Sequence, residues 1–241
     1  MDDNIVNRKL MIIGIDSSHI QDKRTGVAMV STINDSFTDF FNKEEIIEEK
    51  NKDQFCFCVR VFIEEAIKVY KKENGENPKG IIIYRQGVSL QQKQFLYNEV
   101  KQIDYFCNFN NILYYYILVN KKINFKFFEK SKNLKQFINP ESSLLVMDGI
   151  TNRDYFEFYI QPQEVTQGSA TPICYHVAYG NLDIPEIIPK LTFDLCNLYF
   201  NWQGKVRVPN VLKLAEKLSK LTAKYLYKDN YSHLSLGQIY L

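Results

Sequence analysis

The sequence predicts an α/β domain in which helices flank a mixed central sheet. Short runs of β-branched and aromatic residues, such as IIGI at 12–15 and IIIY at 81–84, are typical of buried strands. Between them, residues 53–72 carry apolar side chains at spacings of three and four, which indicates an amphipathic helix. A strand, a helix and a second strand in this order favour a sheet with parallel neighbours.

The composition supports a chain that buries a large core. The sequence has 241 residues, of which 45% are hydrophobic, and Lys plus Arg exceed Asp plus Glu by only 30 to 28. Any nucleic-acid surface must therefore be a local basic patch. Five cysteines without a Cys-x-x-Cys pair and a polar start favour an intracellular location, cytoplasmic or nuclear. No apolar stretch has the length of a membrane span, so no membrane partner is expected.

The first half of the chain alternates strands and helices. Its predicted strands are 10–15, 27–33, 39–41 and 80–84. The second and third are antiparallel neighbours because Asn, Asp and Ser at 34–36 supply a turn between them. Gly75 and Pro78 end the helix 53–72 before the fourth strand begins.

The second half continues the sheet and then becomes helical. A helix is predicted over 91–100, and the strands expected here are 113–119, 144–147, 156–160 and 172–179. From 185 to 227 the pattern is helical except at 201–208, and Pro209 suits the first position of a final helix. No repeat or linker interrupts the chain, so residues 10–241 are expected to form one domain after a lead-in at 1–9.

Polar residues at two strand ends mark a candidate site. Asp16 follows the first strand, where a carboxylate can hold a hard cation, although an Asp that caps a turn has the same pattern. Lys121, Lys122 and Lys126 alternate with aromatic residues after the strand 113–119. This pattern suits contact with a phosphate backbone, and it also suits a solvated sheet edge.

Taken in order, several stretches resemble the PIWI domain of Argonaute/Piwi proteins. The matching stretches are IIGIDSSH, IIIYRQGVS, ILVNKKINFKFF, LLVMDGIT, FYIQPQEVTQGSATPICYHV, LTFDLCNLYFNW and VRVPNVLKLAEKL. The pair LCNLYFNW and VRVP resembles the Piwi branch. The resemblance implies an RNase H-like fold, a small single-stranded guide RNA with its paired target as partners, protein partners, and a role in small-RNA-directed silencing or RNA processing.

The resemblance also implies a slicer site that uses two Mg²⁺ ions and four residues of the type Asp, Glu, Asp and His. The matching positions are Asp16, Gln54, Gln86 and Glu216, so mainly the first is retained. A unit charge about 4 Å from a divalent ion contributes on the order of 8 kcal/mol at an effective dielectric near 20, and Gln lacks that charge. We expect a degenerate slicer that is not an enzyme and requires no cofactor.

A weak remnant metal site at Asp16, aided by Glu216, stays an alternative to complete loss of metal. Glu216 equally suits a solvated position on an amphipathic helix. A residual metal-dependent RNA endonuclease is therefore one competing function. A protein-interaction scaffold that has lost RNA binding is another.

RNA contacts are implied by the same resemblance. It assigns phosphate contacts to Lys121, Lys122 and Lys126, a guide contact to Tyr199, and a place near the guide 5′ phosphate to the terminal Leu241, where Mg²⁺ can bind. Tyr199 equally suits a core position.

Overall fold

The computed structural model describes residues 9–20, 24–48, 52–88, 91–131, 137–140, 144–148, 156–165, 167–182 and 186–226. Its strands are β1 (Leu10–Ile20), β2 (Arg24–Thr32), β3 (Phe40–Glu48), β4 (Gly80–Gln86), β5 (Leu113–Asn120), β6 (Glu129–Lys130), β7 (Phe137–Ile138), β8 (Leu144–Val146), β9 (Glu157–Gln161) and β10 (Ile173–Gly180). Its helices are α1 (Lys52–Asn74), α2 (Lys93–Phe109), α3 (Ile188–Leu195) and α4 (Asn210–Leu221), and a π-helical turn, Thr222–Leu226, extends α4.

An eight-stranded mixed sheet forms the centre, in the order β3-β2-β1-β4-β5-β10-β9-β8. β1, β4 and β5 run parallel to one another, whereas the other neighbours are antiparallel. β6 and β7 form a separate two-stranded hairpin. The predicted mixed central sheet flanked by helices is confirmed.

Two hydrophobic layers cover the two faces of the sheet, because side chains alternate along each strand. Met11, Ile13 and Ile15 of β1 pack in the layer that contains α1 and α2. Leu10 and Ile12 pack in the layer that contains α3 and α4. The helices α1 and α4 therefore lie on opposite faces of the sheet.

Gly14 allows α4 to approach β1 closely. A Cβ atom at this position would lie 2.5 Å from backbone atoms of Val211 and Leu212. Real Cβ atoms do not come this close to a backbone, so the absence of a side chain sets the distance between α4 and the sheet.

Several predicted boundaries are wrong, and the sheet explains why. β1 does not end at Ile15, since its next residues pair with β2 in antiparallel register up to Ile20 and Arg24. β3 extends to Glu48 for the same reason, because β2 supplies backbone partners along its whole length even where the side chains are polar. The hydrophobic pattern of one strand does not show how far its backbone pairs with a neighbouring strand, so the strand ends were predicted too short.

The helical predictions for the later regions were wrong in length. α2 continues to Phe109, beyond the predicted end at residue 100. Residues 196–209 are not helical, whereas a helix was expected up to 200. The hairpin of β6 and β7 was not predicted, because two-residue strands carry no periodic signal. No helix within the described ranges is long and apolar enough to cross a membrane.

Candidate functional site

Asp16 is a buried carboxylate inside β1, with 3% of its surface exposed. The Ser219 hydroxyl of α4 donates a hydrogen bond to Asp16 Oδ2 at 2.8 Å, and the Ser18 and Ser219 hydroxyls lie 2.9 Å apart. Burial raises the pKa of Asp16 above its ordinary value, although the Ser219 hydrogen bond and the charge of Arg85 oppose the rise. The expectation that Asp16 lies after the end of its strand was wrong.

Gln86 is the last residue of β4 and lies beside Asp16. The parallel register pairs Ile15 with Arg85, so the next residue of each strand comes to the same level of the sheet. Alternation from Tyr84 places the Gln86 side chain on the face that α4 covers. Its Oε1 atom is buried and accepts no hydrogen bond from the described residues.

Arg85 fixes the end of β4 from the opposite face. Its Nε atom lies 3.1 Å from Glu99 Oε1, and the Tyr116 hydroxyl donates to the same oxygen at 2.5 Å. The guanidinium lies 4.6 Å from the centre of the Phe55 ring and also donates to the backbone carbonyl of Gln86. Arg85 and Glu99 are both almost fully buried, so this pair anchors the strand that carries Gln86.

Gln54 lies in the layer of the molecule opposite Glu216, next to Phe55, whose ring contacts Arg85. It is half-buried in the first turn of α1, and α1 packs on the face of the sheet opposite α4. The structure brings together three of the four positions that the resemblance assigned, and it places Gln54 on the other layer.

Glu216 is surrounded by lysines. Its Oε2 atom lies 2.9 Å from Lys121 Nζ and 3.4 Å from Lys213 Nζ, and its Oε1 atom lies 3.1 Å from Lys220 Nζ. Burial alone would raise the pKa of Glu216, but these ammonium groups lower it to about 2. The interpretation of Glu216 as a solvated helix residue was wrong, because its side chain is only 14% exposed.

These side chains do not fit a pair of Mg²⁺ ions. Asp16 is hydrogen-bonded to Ser219, Gln86 is neutral, and both oxygens of Glu216 are bound by ammonium groups. Mg²⁺ needs near-octahedral oxygen ligands and usually carboxylate charge. In the part of the chain that the structure describes, no three or more His, Cys, Asp or Glu residues are arranged to hold a metal ion.

The lysines after β5 differ from one another in their surroundings. Lys121 is bound to Glu216, and burial lowers its pKa although Glu216 opposes that effect. Lys122 and Lys126 are exposed, and the Lys126 ammonium group donates to the Ser169 hydroxyl.

Aromatic residues hold this segment against the sheet. The rings of Phe125 and Phe127 meet the Tyr159 ring of β9 edge-on, with centroids 6.0 and 6.1 Å away. Phe125 nevertheless stays 50% exposed, so the contacts with Tyr159 cover its ring only in part.

A groove of about 420 Å³ lies beside Glu216 and is lined mainly by residues of the segment 199–208 and of α4. Its lining is Lys121, Gln163, Tyr199, Asn201, Trp202, Val206, Arg207, Val208, Lys213, Glu216 and Lys217. Lys217 Nζ lies 5.3 Å from the centre of the Tyr199 ring, and Trp202 is 65% exposed. Basic side chains outnumber acidic ones by four to one in this lining.

The groove contains residues that sequence reasoning missed and three that it singled out, Lys121, Tyr199 and Glu216. Lys213 and Lys217 are four residues apart, a spacing that could have predicted a shared face of α4. Arg207 and Trp202 lie in a segment without periodicity, which offers no such signal. Tyr199 is 4% exposed and packs in a hydrophobic cluster with Val206 and Leu214, so it is a core tyrosine whose edge lines the groove. Leu241 lies outside the described residues.

Comparison with known proteins identifies close relatives. A model of the Piwi domain matches residues 2–227. Protein argonaute-3 of Drosophila melanogaster is 34% identical over 238 residues, which cover 97% of this chain and 27% of that protein. Piwi-like protein Ago3 of Bombyx mori is 34% identical over 230 residues, which cover 91% and 24%. The chain spans about a quarter of the length of these curated relatives.

Solved structures agree with this result. The crystal structure of Drosophila Piwi is 29% identical, has a TM-score of 0.73, and is matched over 90% of this chain and 30% of that one. The Argonaute of Kluyveromyces polysporus, solved with a guide RNA, is 20% identical with a TM-score of 0.77, over 94% and 29% of the two chains. These matches confirm the expected RNase H-like fold.

Proposed function

Because the chain belongs to the Piwi domain family, we propose that it holds a small guide RNA and its paired target in small-RNA-directed silencing or RNA processing, without cutting the target. The observation that carries this proposal is a groove with four basic side chains beside a site in which Ser219 hydrogen-bonds Asp16 and lysines pair with Glu216.

The distribution of charge supports binding to a phosphate backbone. Lys122 and Lys126 extend from a segment anchored by aromatic rings, while Arg207 and Lys217 lie in the groove next to the exposed Trp202. Basic groups contact phosphates irrespective of sequence, and an exposed indole offers a surface for base stacking. Such contacts suit a protein in which the guide, and not the protein, supplies sequence specificity.

The charges around Asp16 support the proposal that the target is not cut. Two-metal hydrolysis needs ions that activate the attacking water and stabilise the leaving oxygen. Gln86 supplies no charge to hold such ions, and Glu216 is already neutralised by Lys121, Lys213 and Lys220. The chain is therefore proposed to act by recruitment of other proteins to the paired RNA.

An interaction scaffold without RNA is the second candidate, favoured by an aromatic stripe on α2. Tyr97, Tyr105 and Phe109 are 60%, 77% and 81% exposed, and they follow one another at helical spacing. Exposed aromatic groups on one face are typical of surfaces that bind other proteins. This stripe is compatible with both candidates, since a guide-binding protein also needs partners.

The test is the RNA content of the full-length polypeptide purified from its own cells, labelled and sized on a gel. We expect a discrete band a few tens of nucleotides long, lost in the double variant Lys122→Glu/Lys126→Glu. The matched control Lys68→Glu/Lys72→Glu reverses the same charge on the exposed face of α1 and is expected to keep the band.

Two outcomes would contradict the proposal. Wild-type protein without RNA would leave the scaffold as the better explanation. Appreciable cleavage of a guide-paired target by the intact protein with Mg²⁺ would show an active slicer.

A further inference from the structure

Three lysines from separate positions converge on one carboxylate at the edge of the groove. Lys121 follows β5, whereas Lys213 and Lys220 lie one turn before and after Glu216 on α4. Among the described residues that line the groove, Glu216 is the one acid. Two of the four basic side chains in this lining, Lys121 and Lys213, are thus paired with Glu216, and Lys220 pairs with it from outside the lining.

The pairing is stronger than an ordinary surface ion pair. The side chains of Lys121 and Glu216 are 23% and 14% exposed, so water screens their attraction only in part. The low pKa of Glu216 has the same cause, because the ammonium groups favour its ionised form. An RNA phosphate that enters the groove must compete with this carboxylate for the same hydrogen-bond donors.

We propose that Glu216 is an internal competitor of RNA phosphate. The carboxylate holds Lys121, Lys213 and Lys220, and it keeps the affinity of the groove for a phosphate backbone below the value that the lysines alone would give. The inference rests on the proposed function, since it requires RNA in this groove. It makes Glu216 a residue that tunes how readily the strand is released.

The experiment compares wild-type full-length protein with Glu216→Gln by fluorescence anisotropy on a labelled single-stranded RNA at several salt concentrations. Freed lysines should tighten binding about tenfold, the scale of one charge-assisted hydrogen bond. The salt dependence should steepen, since each added phosphate contact on a single strand increases the slope by about 0.7.

Two further variants separate this effect from a general change of charge. Glu65→Gln changes the net charge by the same amount, but on α1, where Glu65 lies 2.8 Å from Lys43. This variant should leave the affinity for RNA unchanged. Adding Lys121→Met to Glu216→Gln should remove most of the gain.

The outcomes distinguish the two proposals. RNA binding by the wild type without a gain in a folded Glu216→Gln variant overturns this inference and leaves the proposed function in place. Because the inference requires RNA in the wild-type groove, binding that appears only in Glu216→Gln, or in neither protein, overturns both.

Thermal unfolding checks that Glu216→Gln is folded. If it is not, Glu216→Asp serves instead, because it keeps the charge but withdraws the carboxylate by one methylene group. A smaller gain is then expected, and no gain would overturn the inference.

Discussion

The hydroxyl of Ser219 donates a hydrogen bond to Asp16 across 203 positions of sequence, at 2.8 Å. The contact joins the last described helix to the first strand, and it satisfies a carboxylate that has almost no access to water. Asp16 is therefore held as part of the packing between α4 and the sheet, next to the neutral Gln86.

Asp16→Asn is expected to stabilise the protein near neutral pH. Because folding raises the pKa of Asp16, its ionised form costs stability above that pKa, and the cost disappears where low pH protonates the group in both states. The variant should gain stability at pH 7 and little at low pH. Denaturant unfolding across this range measures the difference, and a clear loss of stability at pH 7 would contradict the expectation.

The contribution of Glu216 to the stability of the protein should have the opposite pH dependence. Its pKa falls to about 2 on folding, so its contribution is complete above the unfolded value and is lost as the pH drops from about 5 to about 2. In Glu216→Gln this part of the pH dependence should be missing, an effect of up to about 3 kcal/mol. Parallel pH titrations of unfolding in both proteins test this, and superimposable curves would show that the ion pairs contribute nothing.

Glu99→Gln should destabilise the protein strongly. The change leaves Arg85 buried without a charged partner, and breaking a buried pair in this way costs about 3 to 5 kcal/mol. Glu65→Gln at the exposed pair with Lys43 is the matched comparison and should cost less than about 1 kcal/mol. Equal losses from urea unfolding would mean that the Arg85 network does not anchor β4.

Restoring the family residues should restore metal binding in part. The double variant Gln86→Asp/Glu216→His places a second carboxylate beside Asp16 and replaces the lysine-bound carboxylate of Glu216 with an imidazole. We expect Mn²⁺ to raise its melting temperature by a few degrees and to leave the wild type unchanged. A rise of equal size in wild-type protein would contradict this expectation, because it would show that the wild-type residues already bind Mn²⁺.

The sequence was sufficient for the sheet and for most of its helices, because buried strands and amphipathic helices carry their own periodicity. The resemblance assigned Asp16, Gln86 and Glu216 to one site, and that assignment stays a prediction. What the sequence lacked was their environment, since the contacts of Glu216 with Lys121 and of Asp16 with Ser219 join residues 95 and 203 positions apart. No local pattern encodes such contacts.

The placement of Gln54 shows the same limit. Counting along a helix assigned it to the site, but a count does not decide which face of the sheet that helix covers. In the structure, α1 packs on the face of the sheet that carries Ile13, whereas α4 packs on the face that carries Ile12. The order of residues along the chain does not specify these faces.

The position of the groove residues on α4 depends on Gly14, although Gly14 itself lies outside the groove. α4 carries Ser219, Glu216 and Lys213 together, and its depth on the sheet is limited by backbone contact at Gly14. A side chain there would push the helix outward and shift all three groups at once. In a genetic screen, Gly14 variants would consequently be grouped with those of the groove, although the residue is buried and does not line it.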